Sequence, residues 1–222
     1  MNPSLFVRVK ICCISSIEEA QLAIKYGASA LGLVSEMPSG PGVIDEEIIA
    51  EIVKEVPPPV ATVLLTRKTH ANQIIQQQSK TKANTIQLVD FVGYKELMTL
   101  KRELIGVKLI QVIHVINENS INEAKDVEQF VDAILLDSGN PNLDIKILGG
   151  TGKRHDWELS KKIREQINIP MFLAGGLNSG NTLDAINSVG PFGLDVCSGV
   201  RTDGKLDENK LKSLFKVVNK FN

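Results

Sequence analysis

The feature that most limits what this chain can fold into is a rhythm. Eight short apolar, β-branched runs, FVRVKIC, SALGLVS, VATVLL, NTIQLV, VKLIQVIHV, VDAILLD, IPMFLAG and GLDVCSG, alternate with stretches of helical spacing. In IEEAQLAIKYG the apolar Ile17, Ala20 and Ile24 share one helix face, and DEEIIAEIVKEV and DENKLKSLFKVV repeat the pattern. Ser16 ahead of Glu18 and Glu19, and Asp45 ahead of Glu46 and Glu47, read as helix starts. Eight strand–helix units in 222 residues predict an α/β fold, a parallel (β/α)8 TIM barrel forming a single domain over residues 1–222. That length is a little under the roughly 250 residues typical of such barrels. The competing architecture, an open doubly wound sheet, wants a glycine-rich turn after its first strand. The segment CCISS supplies none.

Composition narrows the function classes. A net charge of −1 gives no electrostatic case for nucleic acid or an anionic membrane surface. No apolar run approaches the roughly 20 residues that cross a bilayer. MNPSLFVRVK lacks a basic stretch followed by an apolar one, so no signal peptide is expected. The cysteines Cys12, Cys13 and Cys197 show no C-x-x-C spacing, and the three scattered histidines make no metal site. A cytoplasmic, reducing setting is expected. The run Gln76 to Gln78 reads as a polar helix face.

In a barrel of this kind the βα loops at the strand ends build the active face. At the end of the first strand stand two cysteines side by side. Strand side chains alternate between faces. Leu5, Val7, Val9, Ile11 and Cys13 form an apolar face suited to lie beneath the helices, whereas Arg8, Lys10 and Cys12 look into the barrel. On this reading Cys13 is a small hydrophobe under a helix, and Cys12 is the thiol that can meet a substrate. Strand eight closes beside strand one, so Asp195 is expected to pair with Lys10, either charge being costly if buried alone. The Lys10 ammonium would favour a Cys12 thiolate able to act as a base. By strand alternation alone, Cys12 remains equally well an ordinary buried cysteine.

Gly175 and Gly176 end strand seven, and Ser198 and Gly199 end strand eight. Adjacent glycine-bearing turns let backbone amides approach an anion, and the loops after strands seven and eight hold phosphate in many barrels. Asp137 ends strand six, across the mouth from Cys12, as a general acid should face a general base. Its plainer role is to cap its own loop. The following GGTGK lacks the spacing and the Ser/Thr of an ATP-binding loop. His70 is expected at a helix start, His114 near the pocket or packed in the core, and Trp157 as the anchor of its helix.

Taken together, KIC (10–12), YGASALGLV (26–34), LLD (135–137), GGTGKRHDW (149–157), FLAGGLN (172–178) and DVCSGV (195–200) resemble the phosphoribosylanthranilate isomerase family over nearly the whole chain. The resemblance implies a cofactor-free Amadori rearrangement of an N-linked ribose phosphate in tryptophan biosynthesis, by a monomer or a homodimer. It implies Asp137 as the acid that opens the ribose ring, Cys12 as the base at C2, and phosphate on Gly175, Gly176, Ser198 and Gly199. Lys10, Asp195, Gln87, Arg154 and His155 would complete the pocket.

The departures fall on one side of that pocket. Cys13 stands where the family has glycine, residues 36–43 (EMPSGPGV) lack the family's arginine for the anthranilate carboxylate, and QLVD (87–90) lacks its histidine. Arg154 and His155 replace Thr-Phe, and Arg201 replaces glutamate. Arg67, Arg154 and Arg201 are the candidates to supply the missing cation. Two other readings compete: a diverged isomerase of another phosphosugar, and a barrel that only binds a phosphometabolite.

Overall fold

The computed structural model describes residues 6–38, 40–138 and 156–222. Its eight parallel strands close in chain order into a barrel. They are β1 (Arg8–Ile11), β2 (Ala30–Val34), β3 (Ala61–Thr66), β4 (Thr85–Leu88), β5 (Lys108–His114), β6 (Ala133–Asp137), β7 (Met171–Leu173) and β8 (Gly193–Val196). The helices between and after them are α1 (Ile17–Tyr26), α2 (Glu46–Glu55), α3 (Ala71–Thr81), α4 (Tyr94–Glu103), α5 (Asn119–Val127), α6 (Trp157–Gln166), α7 (Thr182–Val189) and α8 (Glu208–Phe221). The alternation read from the sequence is therefore the architecture.

The helix boundaries have local causes. Ser16 Oγ accepts the Glu19 amide at 3.3 Å and starts α1, which ends at Gly27 in the left-handed region (φ 111°). Asp156 takes the amides of Glu158 and Leu159 to start α6, and Trp157 is buried in the layer between helices and sheet. Asp45 precedes α2 without a side-chain cap bond. His70 stands at the start of α3, as expected. The run Gln76 to Gln78 is not wholly a polar face. Gln77 is buried at the α2–α3 seam, where its Nε2 donates to Glu46 Oε1 at 2.9 Å while its Oε1 has no partner among the described residues.

Strand alternation sorts the core into two clusters. Val9, Ile11, Leu31, Leu33, Leu64, Ile86, Leu88, Ile134, Leu136, Leu194 and Val196 pack outward against the helices. Cys12, Ala30, Val34, Val63, Leu65, Ile110, Val112, Ala133, Leu135 and Ala174 form a separate inner cluster. The barrel closes by pairing β1 with β8, Lys10 opposite Asp195 and Ile11 opposite Val196. This seam carries the charged groups inside the barrel.

Candidate active site

Lys10 is fully buried, and its Nζ lies 2.8 Å from Asp195 Oδ1, the partner that strand alternation assigned to it. Burial works against the ammonium, but the hydrogen-bonded Asp195 carboxylate outweighs it and holds the Lys10 pKa above its ordinary value. Cys12 lies directly above. Its amide donates to Val196 O at 2.9 Å, and its side chain belongs to the inner cluster. Room for both groups comes from Gly32 on β2. A Cβ there would lie 2.8 Å from Cys12 Sγ and 3.0 Å from Lys10 Nζ. Reasoning from the sequence passed over Gly32, although an isolated glycine inside a strand marks close approach of a neighbour.

Asp137, on the far side of the barrel from β1, continues the inward face of Ala133 and Leu135 and is 8% exposed. Burial is the main cause that raises its pKa to about 6. The Ser138 amide and Lys10 pull it down, and the charge of Asp195 pushes it further up. It also accepts the Ser138 amide at 2.7 Å, so the loop-capping role is filled by the same carboxylate. Gln87 lies on the inward face of β4, buried, and its Oε1 has no partner among the described residues. His114 ends β5, with Nε2 at 3.2 Å from Val89 O, and burial lowers its pKa.

The two glycine turns meet at the adjacent ends of β7 and β8. Gly175 (φ 86°) and Gly176 (φ 63°) both take the left-handed conformation, and their amides have no protein acceptor among the described residues. Asn181 Nδ2 donates to Gly176 O at 2.9 Å and braces the turn. Gly199, in the 3-10 turn Ser198–Val200, packs so closely that a Cβ would lie 1.9 Å from Leu177 O. The two turns therefore form one surface.

Two expectations are corrected. Cys13 is not a hydrophobe beneath a helix. Alternation stops with the strand at Ile11, Cys13 turns to φ 63°, and its sulfur joins the inner cluster at 2.8 Å from Cys197 Sγ. That left-handed backbone is the physical reason a glycine suits the position. Arg201 is not available to a substrate. It is 8% exposed, grips both carboxylate oxygens of Glu19 at 2.9 and 3.0 Å, and donates to the carbonyls of Cys12 and Cys13. Arg67 remains at the rim. It follows the last residue of β3, and its Nη2 lies 3.2 Å from Glu36 Oε1 with both side chains exposed. Arg154 and His155 lie outside the described residues.

Comparisons with known proteins bear on the family and on the barrel. The sequence profile of the N-(5'phosphoribosyl)anthranilate (PRA) isomerase family matches residues 9–217. An N-(5'-phosphoribosyl)anthranilate isomerase 2 of Methanosarcina mazei is 34% identical over 216 residues, 96% of this chain and 92% of that protein. The Methanocaldococcus jannaschii N-(5'-phosphoribosyl)anthranilate isomerase is 34% identical over 228 residues, 96% of this chain and 97% of its own. Among solved structures, the phosphoribosyl anthranilate isomerase of Thermotoga maritima superposes with a TM-score of 0.83 at 31% identity, covering 97% of this chain and 100% of that one. Another, solved with reduced 1-(o-carboxyphenylamino)-1-deoxyribulose 5-phosphate, gives 0.81 at 29% identity, with 97% of this chain and 100% of that one covered.

Proposed function

The chain belongs to the N-(5'-phosphoribosyl)anthranilate isomerase family, and from that premise we propose how its own residues carry out the family's Amadori rearrangement in tryptophan biosynthesis. The aldose-to-ketose conversion moves protons and no net electrons between molecules, so one acid and one base suffice. Asp137, kept partly protonated near neutral pH by burial, donates to the ribose ring oxygen. The C1–O bond breaks, and the anilino nitrogen supplies electrons to form the Schiff base. Cys12, beside the Lys10 ammonium, accepts the proton from C2. The resulting enolamine tautomerises to the ketose.

The phosphate rests on the amides of Gly175 and Gly176 and on the turn at Ser198 and Gly199, which fixes the sugar between β1 and β6. Arg67 takes the anthranilate carboxylate, exchanging Glu36 for the substrate. A planar guanidinium can take that carboxylate through two parallel hydrogen bonds, which an ammonium cannot.

The observation that carries the reading is the opposition of two proton-handling groups across one mouth. Asp137 has its neutral form favoured by burial, and Cys12 has an ammonium beneath it. The test follows the fluorescence of freshly prepared phosphoribosylanthranilate mixed with wild type, Cys12→Ser and Asp137→Asn. Turnover in the wild type that either substitution lowers by about 10²-fold or more supports it. Wild-type inactivity on this substrate would overturn it.

A further inference from the structure

The chain's three cysteines meet where β1 and β8 close the barrel, and the proton chemistry above uses only one of them. Cys13 Sγ and Cys197 Sγ lie 2.8 Å apart, against a bonded S–S length of about 2.05 Å. The two thiols are unlike. Cys197 is partly exposed, whereas Cys13 is buried at 5% exposure. Hydrogen bonding to Cys12 and Cys197, together with burial, keeps Cys13 protonated. The Cys13 hydrogen bond and the charge of Arg201 favour a thiolate on Cys197 against the effect of burial. A partly exposed thiol whose charged form is favoured, 2.8 Å from a buried second thiol, is the arrangement of an attacking and a resolving cysteine.

We propose that Cys13 and Cys197 are a dithiol modification site for low-molecular-weight disulfides, and that its closure to a disulfide reversibly shuts the mouth. The Cys197 thiolate attacks one sulfur of a reagent RSSR, forming Cys197–S–S–R and releasing RS⁻. The Cys13 thiol then gives up its proton, attacks the Cys197 sulfur and releases the second RS⁻. In sum, two protein thiols are oxidised and one RSSR is reduced to two RSH.

Closure reaches the site through the chain on both sides of the bond. Cys13 directly follows Cys12, and Cys197 directly precedes Ser198 and Gly199. Arg201 already ties the two segments together through the carbonyls of Cys12 and Cys13. A covalent link shortens the Cys13–Cys197 gap and shifts both Cys12 and the Ser198–Gly199 turn. This effect on turnover rests on the roles proposed above, whereas formation of the bond does not.

The experiment treats the reduced full chain with oxidised glutathione, quenches it with acid and maps the thiols by mass spectrometry of a non-reduced digest. Turnover is measured in parallel, before and after dithiothreitol. Two of the three thiols are expected to disappear, with one peptide joining Cys13 to Cys197 and Cys12 free. Turnover falls by about tenfold or more, the scale of an ångström-level misplacement at a reacting centre, and returns on reduction.

Cys13→Gly suits the backbone at φ 63° and should keep turnover, but it should stop at a glutathione adduct on Cys197. Cys197→Ser should be inert to the reagent. All three thiols remaining free, or a bond that involves Cys12, would overturn the site. A Cys13–Cys197 bond that leaves turnover intact would overturn the shut-off. A wild type with no turnover at all would instead sink the proposed function, and the digest would still decide the dithiol.

Discussion

Lys10 and Asp195 form a 2.8 Å ion pair inside the barrel, with Cys12 immediately above the ammonium. Neither charge can be released to water without opening the β1–β8 seam. Asp195→Asn leaves a buried ammonium without its counter-ion, which costs about 3–5 kcal/mol. A double variant, Lys10→Met with Asp195→Leu, removes both charges and should recover most of that loss. Urea unfolding of the three proteins checks this. The double variant should nevertheless turn over poorly, because Cys12 has lost the cation beside it.

Asp137 makes stability depend on pH in a direction opposite to that of an ordinary paired carboxylate. Its pKa lies near 6 in the folded chain against an ordinary 3.8. The native state therefore binds a proton that the unfolded chain has already released between these values, and native stability falls as pH rises through that window. Above pH 6 the full penalty applies, roughly 3 kcal/mol at about 1.36 kcal/mol per pH unit. Asp137→Asn should thus melt several degrees above the wild type at pH 8 and close to it at pH 4. Equal melting shifts at both pH values would contradict the buried-acid assignment.

Gly32 predicts a variant that folds but works badly. The Cβ of Gly32→Ala would lie 2.8 Å from Cys12 Sγ and 3.0 Å from Lys10 Nζ. Overpacking of this kind costs about 1–3 kcal/mol, which a barrel can survive. The displaced thiol should lower kcat by about 10²-fold while KM changes little. A fall in stability with unchanged kcat would mean that Gly32 serves packing only.

Much of this site was legible because strands alternate strictly. Lys10, Cys12 and Asp195 could be placed inside the barrel from the sequence, since each stands on a strand or one residue past its end. Cys13 was misplaced for the same reason, because the rule expires when the chain leaves the ladder and turns to φ 63°. The Arg201–Glu19 grip was invisible because its partners stand 182 positions apart, and no local pattern links them. Arg201 stands where the resemblance implies glutamate, yet only the fold reveals that its charge is spent on Glu19. Gly32 left a local signal, and that signal was overlooked among the apolar residues of ALGLV.

Arg67 carries the prediction about specificity. Its exposed pairing with Glu36 is weak, as surface ion pairs are, and a substrate carboxylate can displace it. Arg67→Ala should raise KM for phosphoribosylanthranilate by about 10–100-fold, the scale of a hydrogen bond to a charged group, with kcat nearly kept. Glu36→Gln should lower KM by freeing the guanidinium. The Arg67 effect should vanish with a substrate carrying aniline in place of anthranilate. Steady-state kinetics on the two substrates separate these outcomes.

The most direct test of the central claim uses phosphoribosylanthranilate labelled with deuterium at C2 of the ribose. If Cys12 removes that proton, the wild type releases the label to solvent as product forms. Cys12→Ser should bind substrate with similar affinity and release label at least about 10²-fold more slowly. Label release by Cys12→Ser within a few-fold of the wild type would show that another group takes the C2 proton.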